Sequence, residues 1–424
     1  MKGPISAEMR SLFSLIKPIC GDSSMGMVRS YKFRLYPNRS QEKEMQTHLF
    51  LSKNLWNDGL EFAKQLYADY GRFPSRQAYQ EMSKDSGLHS QAAQNVFIRL
   101  DLAIKTKIRR KKSGLKGGFP RFKSIDRVKS LHYPQSGFSL KEKKLKVSPF
   151  GDINVKKHRE VEGSVKTLTL KREASGKWFA ILTVEIEATP VQENDGSQVG
   201  IDLGLINFAV LSDGTTIRNP RHLKKHQDNI RAKQKSLSRT ERYSINRGKA
   251  KRRLAVIHQR LKNIRGDFLH KLSHKLVHAH SLIALEDLAS QEMAERRFGK
   301  SINDAGWSEF IGMLSYKAES AGSTVMLVDP ENTTKGCSRC GFLTRKELSE
   351  RQHDCPSCGL SMDRDLNAAI NILSRATNGT TNRSIGSSFG ATAGIAGSNA
   401  CGDETSAARQ ASSMKQVAQR FSAG

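Results

Sequence analysis

The sequence has no apolar run approaching the roughly 18 residues that cross a membrane, so we expect a soluble chain. It is also poor in acidic residues. Its 424 residues include 41 Asp and Glu against 70 Lys and Arg, a formal net charge of +29. No amphipathic Trp- or Phe-rich segment accompanies this charge, which makes a membrane surface the weaker interpretation. The charge is spread along the whole chain and favours a polyanionic partner, nucleic acid above all.

Cysteine is scarce, and its placement excludes a disulfide scaffold as the favoured interpretation. The six are Cys20, Cys337, Cys340, Cys355, Cys358 and Cys401. Four of them form two CxxC pairs, which in a large basic chain indicates metal binding in a reducing compartment. Residues 1–26 hold a short apolar core without a clear small-residue cleavage site. We interpret them as an extension ahead of a start at Met27 and not as a signal peptide.

The segment VGIDLG, residues 199–204, is the feature around which the chain is organised. Val199, Ile201 and Leu203 alternate with two glycines and Asp202, so a strand would carry Asp202 on the face opposite its apolar side chains. We expect those glycines to leave room for a metal ion and a phosphate. A second alternating run, Ile206 to Val210, and a hairpin at 212–214 follow, which is how an RNase H-like sheet begins. An ordinary strand with one exposed Asp is the alternative.

The N-terminal half alternates between strand and helix periods. A strand is predicted at 31–35, a helix from 41 with Ser40 as its N-cap, and a second helix from about 90. The first helical stripe is Met45, Leu49, Ser52, Trp56, Leu60, Ala63 and Tyr67. Trp56 is interpreted as a core residue more readily than as a base-stacking platform. Strands at 165–170 and 179–186 flank a turn at 174–177, and together with 31–35 they could close one small barrel.

Two basic regions are candidates for contact with nucleic acid. The first comprises residues 109–112 with Lys116, Arg121 and Lys123, for which we favour phosphate contact over a solvated face. The second, 221–280, has apolar residues at helical spacing and predicts two or more basic helices on the sheet. Those helices either only link strands or also track a nucleic-acid backbone.

A buried parallel strand is predicted at 282–285, ending at Glu286 and Asp287. Acids at the carboxyl end of such a strand lie where open α/β sheets place their sites, although solvated strand-end acids are the alternative. An amphipathic helix from Trp307 to Ala318, closed by Gly322, and a strand at 325–328 come next.

The most specific local motif consists of CxxCG at 337–341 and CxxCG at 355–359. Each pair places two thiolates on a tight turn, and the following glycine permits the conformation that aims both sulfurs at one ion. We predict one structural Zn²⁺ held by Cys337, Cys340, Cys355 and Cys358. A redox dithiol or an unmetallated loop is the alternative.

A helix that carries acids in its first turn is predicted from DRDLNAAINIL, residues 363–373. Helix capping would explain the presence of one acid in this first turn. It explains the presence of both Asp363 and Asp365 less well. Three distant acids, Asp202, Glu286 and Asp365, would converge in an RNase H-like sheet. Their mutual repulsion makes sense chiefly if divalent cations neutralise it. Two Mg²⁺ ions there would support phosphodiester hydrolysis.

The ordered set GIDLG, ALEDL, CxxCG with CxxCG, and DRDLNAAINIL resembles the split RuvC nuclease of the TnpB family, which comprises transposon-encoded RNA-guided DNA nucleases similar to compact type V CRISPR effectors. YKFRLYP at 31–37 and GFPRFK at 118–123 also resemble the N-terminal half of that family. The resemblance covers about 27–376. It assigns the catalytic, Mg²⁺-binding positions to Asp202, Glu286 and Asp365, with Asp363 in support, and the zinc positions to the four paired cysteines.

The resemblance implies a multidomain α+β and α/β fold. Its expected parts are an oligonucleotide-binding-like wedge barrel (27–40 and 126–190), a helical recognition insertion (41–125), a linker (191–197), an RNase H-like RuvC nuclease domain (198–330 and 361–376) and an inserted zinc ribbon (331–360). By composition, 377–424 is expected to be a disordered tail.

The activity implied is RNA-guided, Mg²⁺-dependent cutting of DNA beside a short transposon-adjacent motif. The implied partners are a guide RNA from the transposon end and double-stranded target DNA, bound by a monomer, although higher oligomers stay open. A cytoplasmic, nucleoid-associated protein is expected. An RNA-guided DNA-binding regulator without cleavage and an RNase H-type transposase are the alternatives.

Overall fold

The computed structural model describes residues 27–187, 194–288, 299–347, 350–378 and 383–384. The predicted extension at 1–26, residues 191–193 of the predicted linker and most of the predicted tail lie outside these ranges. Among the described residues, no helix combines the length and apolar composition that a membrane span requires.

The N-terminal part is built on a seven-stranded sheet of order β2-β6-β7-β1-β5-β4-β3. Its strands are β1 (Met27–Tyr36), β2 (Ser130–Tyr133), β3 (Phe138–Leu140), β4 (Lys144–Val147), β5 (Gly151–Lys156), β6 (Ser164–Arg172) and β7 (Trp178–Ile186). The first strand pairs antiparallel with β7, with Tyr31 opposite Leu182, and its other edge pairs with β5. The early strand and the later hairpin therefore share one sheet, around a core that includes Phe33, Leu168 and Trp178.

Three helices lie between β1 and β2 in the chain: α1 (Arg39–Tyr70), α2 (Arg76–Lys84) and α3 (Ser90–Lys112). The predicted stripe of α1 is buried from Met45 to Ala63, and Trp56 is a core residue, as expected. The predicted cap was wrong. Asn38, not Ser40, caps α1, because its side chain accepts from Gln41 N while the Gln41 side chain accepts from Asn38 N.

The second sheet has the order β10-β9-β8-β11-β12-β15. Its strands are β8 (Ser197–Leu203), β9 (Asn207–Leu211), β10 (Thr216–Arg218), β11 (His280–Glu286), β12 (Thr324–Val328) and β15 (Arg383–Ser384). Strand β11 runs parallel to both β8 and β12, as the apolar run at 282–285 predicted. Ile206 was wrongly placed in the second strand, since it lies before β9 and is 51% exposed.

Helices cover both faces of this sheet. They are α4 (His222–Ser238), α5 (Ile245–Ala279), α6 (Gly299–Ala305), α7 (Trp307–Ala321) and α8 (Arg364–Thr377). One face, with Val199, Ile201 and Leu285, packs on α5 and α7. The opposite face packs on α8 through Ala284 and Ile372. Because side chains alternate along a strand, Asp202 and Glu286 belong to the α8 face.

A small hairpin, β13 (Gln352–Asp354) and β14 (Ser361–Asp363), carries the second CxxC pair immediately before α8. Strand β15 pairs antiparallel with β12, with Leu327 opposite Arg383. Two residues of the segment expected to be disordered therefore form a strand.

Candidate active site

Asp202 and Glu286 lie at the carboxyl ends of neighbouring parallel strands. Ile201 of β8 is opposite Leu285 of β11, so Asp202 and Glu286 are each one residue further along their strands. Glu286 is the last residue of β11 and is 9% exposed. Acids at this edge of a parallel sheet converge because the strands end together.

Helix α8 crosses the sheet directly over Gly200. A Cβ at this position would clash with the Ala369 carbonyl oxygen and lie 2.7 Å from Leu373 N. The expectation that Gly200 leaves room for a metal ion and a phosphate was therefore wrong, because α8 backbone fills that space. The glycine instead permits the close approach that brings the first turn of α8, with Asp365, to the strand ends.

The three acids interact electrostatically. Burial, together with the negative charges of Glu286 and Asp365, raises the pKa of Asp202 to about 8, although Arg364 opposes the shift. Burial also raises the pKa of Glu286, while a hydrogen bond from Thr333 opposes that shift. Buried, neighbouring carboxyl groups of this kind resist ionisation, and a bound cation would offset that cost.

Asp365 forms ion pairs with two arginines. Its Oδ1 is 3.3 Å from Arg364 Nη2, and its Oδ2 is 3.5 Å from Arg351 Nη1. Asp363 has a structural role, because its Oδ1 accepts from the backbone N of Asp365 (2.9 Å) and of Leu366 (3.0 Å), which caps α8. Asp363 thus caps α8, which is the role that the sequence analysis allowed for one of the two acids.

The oxygen donors of the three acids suit Mg²⁺, which prefers carboxylate ligands. Among the described residues, these acids do not form a ligand cluster as compact as the four cysteines, whose ligand atoms all lie within 4.8 Å of one another. A pair of ions roughly 3.5 to 4 Å apart requires ligands spread over both, so the wider spacing is compatible with two cations.

The four predicted zinc ligands come together. The ligand atoms of Cys337, Cys340, Cys355 and Cys358 all lie within 4.8 Å of one another. Cys337 Sγ is 3.6 Å from Cys358 Sγ, and Cys340 Sγ is 3.6 Å from Cys355 Sγ. The glycines after the pairs, residues 341 and 359, adopt φ of 76° and 68°, which explains their presence.

The pKa of Cys337 also suits a bound cation. Burial raises the pKa of Cys337, but donation from the backbone N–H groups of Cys340 and Arg339 outweighs it and lowers that pKa to about 5. A thiolate is the form that binds metal. Since Cys is the softest common ligand and four are present, the cluster could hold one Zn²⁺ with no open position.

Two asparagines that the sequence analysis missed connect this cluster to the acids. Asn367 Oδ1 accepts from Ser338 N (2.9 Å), and its Nδ2 donates to Gly336 O (2.7 Å). Asn371 Nδ2 donates to the carbonyls of Gly336 and Thr333, each at 2.8 Å. Their i, i+4 spacing on one face of α8 was the available signal. Thr333 itself, which donates to Glu286, had no sequence signal.

The basic region at 109–123 divides into two groups. Arg109, Arg110 and Arg121 are exposed and could contact phosphates. Lys123 is different, because its Nζ lies 3.1 Å from the centroid of the Trp56 ring and its backbone exchanges hydrogen bonds with Asn57. Lys123 therefore helps to dock the loop on α1, a role that its grouping with the phosphate contacts did not anticipate.

Comparison with known proteins places the chain in a family. A "Putative RNA-guided DNA endonuclease" of Streptomyces pristinaespiralis is 30% identical over 418 residues, 93% of this chain and 98% of that protein. The "TnpB-like protein L770" of Acanthamoeba polyphaga mimivirus is 23% identical over 82% of this chain and 73% of that protein. The chain belongs to the TnpB family. Another relative, "Putative RNA-guided DNA endonuclease InsQ" of Escherichia coli K12, is 30% identical over 82% of this TnpB-family chain and 92% of its own length.

Family models match three segments of this TnpB-family protein. They are described as "Probable transposase" at 181–297, "Cas12f1-like, TNB domain" at 307–372 and "Helix-turn-helix domain" at 25–72. The last segment folds here as β1 followed by the single continuous helix α1. The solved structure of the mini-RNA-guided endonuclease CRISPR-Cas_phi3 is 10% identical with a TM-score of 0.48, covering 88% of this chain and 97% of that one. That likeness is too weak to decide the fold.

Proposed function

We propose that this TnpB-family protein is an RNA-guided DNA endonuclease, with Asp202, Glu286 and Asp365 as its catalytic, Mg²⁺-binding acids. The observation that carries the proposal is that Asp202 lies near the carboxyl end of β8 beside Glu286 of β11, where burial and the charges of Glu286 and of Asp365 on α8 raise its pKa to about 8. Relatives of similar length that carry the name RNA-guided DNA endonuclease support the same activity.

Two Mg²⁺ ions in this pocket would supply Lewis-acid stabilisation of the attacking and leaving oxygens of a phosphodiester. For the pocket to accept them, Asp202 must release its proton. Thr333 holds Glu286 in place by a hydrogen bond, and Asn367 and the Asp363 cap fix the turn that carries Asp365. Arg351 and Arg364 neutralise Asp365 when no other cation does so.

The other parts of the chain take supporting roles in this proposal. The acids would belong to a RuvC nuclease domain (198–330 and 361–376), and the four cysteines would hold one structural Zn²⁺ in a ribbon (331–360). The seven-stranded sheet and helices α1–α3 would form the wedge and recognition parts, which read a short motif beside the target. A guide RNA would supply sequence by pairing, while the basic protein surfaces contact backbone.

The proposal is tested by cutting and binding assays on acid variants. Asp202→Ala and Glu286→Ala should each abolish Mg²⁺-dependent cutting of guide-matched DNA and preserve RNA binding. Asp213→Ala is the matched control, because Asp213 is an exposed acid in the turn after β9 of the same sheet. If either acid variant still cuts at the wild-type rate, the catalytic assignment is wrong.

A strand-transfer transposase is the second candidate, because one matching family model carries that description. It would need no guide, so treating the purified protein with RNase separates the two functions. Loss of DNA cutting after RNase supports the RNA-guided nuclease, whereas unchanged activity supports the transposase. RNA-guided binding without any cutting by the intact acids would instead indicate a regulator.

A further inference from the structure

Helices α4 and α5 pack against each other as a hairpin. The first helix ends at Ser238, the second begins at Ile245, and residues 239–244 connect them. The second helix has 35 residues and is about 50 Å long at 1.5 Å per residue. Its buried positions begin only at Ala250, so the tip lies outside the packed core.

Tyr243, at this tip, is 98% exposed, and Ile245 beside it is 79% exposed. The backbone of Tyr243 has φ of 66°, in the left-handed region that disfavours bulky L-residues. A fully exposed ring in an unfavourable backbone conformation contributes little to folding. An aromatic residue held there is better explained by contact with another molecule.

Hydrogen bonds hold the connection in one shape. Arg247 Nη1 donates to the carbonyl oxygens of Thr240 (3.0 Å) and Leu237 (3.3 Å). Ser244 Oγ accepts from Arg247 N (3.1 Å) and donates to Glu241 O (2.9 Å). The Tyr243 ring is therefore presented from an ordered turn, which reduces the entropy lost when a partner binds.

The charged residues near Tyr243 in the sequence indicate which kind of molecule would bind there. Between 239 and 249 the only acidic residue is Glu241, against four basic ones: Arg239, Arg242, Arg247 and Lys249. An aromatic face surrounded by cations binds single-stranded nucleic acid, in which unstacked bases are available and phosphates lie nearby. A protein partner fits less well, since one ring and one isoleucine offer far less apolar surface than a stable protein interface uses.

We propose that the tip of the α4–α5 hairpin is a nucleobase-stacking site, where Tyr243 stacks on an unpaired base and Arg239 and Arg242 contact the flanking phosphates. The site depends on the nucleic-acid partner of the proposed function but not on cleavage. Binding can therefore be measured without added Mg²⁺, where failure of the tip and failure of the catalytic acids are separate results.

Tryptophan fluorescence gives a direct readout of stacking. The three native tryptophans, Trp56, Trp178 and Trp307, are all buried, so Tyr243→Trp introduces the exposed indole. Titration with a short oligouridylate or oligothymidylate should quench this emission to saturation, and a short blunt duplex should quench it much less. The two single strands report whether RNA or DNA is preferred. Equal quenching by the duplex, or none by either strand, overturns the proposal.

Affinity measurements on the native residue complete the test. Tyr243→Ala should weaken single-strand binding by about 5- to 150-fold and leave unchanged the slope of log affinity against log salt concentration. Arg242→Ala should reduce the size of that slope by about one. Tyr243→Phe should bind like wild type. Tyr243→Gly should lose affinity as the alanine variant does but keep or raise Tm, because glycine favours φ of 66°. Wild-type affinity in Tyr243→Ala would mean that the ring has no stacking role. A reduced Tm in Tyr243→Gly would mean that the ring stabilises the fold, which overturns the argument for a partner.

Discussion

Asp202 carries the strongest electrostatic constraint at the candidate site. Burial and the neighbouring acids raise its pKa to about 8, so without a cation the group holds its proton at neutral pH. An acid in the unfolded chain titrates near 4. Between those values the folded state binds more protons than the unfolded state, and folding stability therefore falls as the pH rises. A divalent cation must displace this proton, so its affinity should rise with pH towards about 8.

Asp202→Asn should raise the Tm of the metal-free protein at pH 8 and change it little near pH 4, because it removes a carboxyl group whose ionisation is unfavourable. The same variant should lose detectable Mg²⁺-dependent cutting. Thermal melts without added Mg²⁺ across this pH range measure the first effect, and cleavage assays measure the second. A Tm difference that does not grow with pH would contradict the raised pKa of Asp202.

Thr333 is a second residue whose role is specific to the site. It is 1% exposed and donates to Glu286 Oε1, which favours the ionised form of that carboxyl group. Thr333→Val keeps the shape but removes the donor, so the Mg²⁺ concentration needed for half-maximal cutting should increase by about 10- to 100-fold. Thr333→Ser keeps the hydroxyl and should stay near wild type. Equal Mg²⁺ requirements for both variants would exclude this role.

At the scale of elements, the packing of α8 on β8 decides where Asp365 lies. Gly200→Ala forces a Cβ against the Ala369 carbonyl and Leu373 N, and overpacking of this kind costs typically about 1–3 kcal/mol. Displacing α8 by about 1 Å would also misplace Asp365, which can cost about 100-fold in rate. The variant should therefore lose both Tm and cutting activity.

Gly312→Ala is the matched control for that prediction. A Cβ at this position of α7 meets nothing within 4 Å, and alanine is a better helix former by about 1 kcal/mol. It should keep cutting activity and keep or raise Tm. Equal melting and cutting of the two alanine variants would show that contact with α8 does not explain Gly200.

The cysteine module is the second element that positions the site. One Zn²⁺ per chain is expected by elemental analysis, and Cys340→Ser should abolish it, because a structural zinc site needs all four ligands. Since Ser338 N donates to Asn367 Oδ1 on α8, the variant should also cut more slowly. Cys401→Ser, outside both CxxC pairs, should keep zinc and activity. Full cutting activity in a zinc-free Cys340→Ser protein would show that the cysteine cluster does not affect the candidate site.

The local spacing of apolar residues predicted those strands and helices that bury one face and expose the other. The alternation of Val199 and Ile201, the apolar run at 282–285 and the stripe of α1 each reflect burial on one side, which sequence records directly. The sequence pattern did not predict features that depend on contacts between distant parts of the chain. Gly200 gave no sign that α8 would fill its space, and the pairing of Leu327 with Arg383 joins residues far apart in sequence. The cap at Asn38 was missed because Ser40 is an equally good capping residue by type.

At the scale of the whole molecule, two sheets with separate cores meet through the long helix α5. Arg252 Nε donates to Ser175 O at 3.0 Å, in the turn between β6 and β7. The neighbouring Gly176 has φ of 82°, and a Cβ there would lie 2.7 Å from the Arg252 guanidinium. The turn between β6 and β7 therefore contacts helix α5 at a glycine whose backbone conformation disfavours a larger residue.

The net charge of +29 governs how the whole chain responds to salt. Ion pairs such as Lys84 with Glu81 and Lys105 with Asp101 are exposed and contribute little, whereas repulsion among the excess cations opposes the compact state. Salt should therefore raise the Tm of the nucleic-acid-free protein.

RNA affinity should fall by about 10³- to 10⁵-fold between about 50 and 200 mM salt if six to ten phosphates are contacted. Melting and binding assays in one salt series test whether Tm rises and whether RNA affinity falls. A Tm that falls with salt would mean that ion pairs, and not self-repulsion, dominate, and RNA binding that is insensitive to salt would contradict phosphate contact.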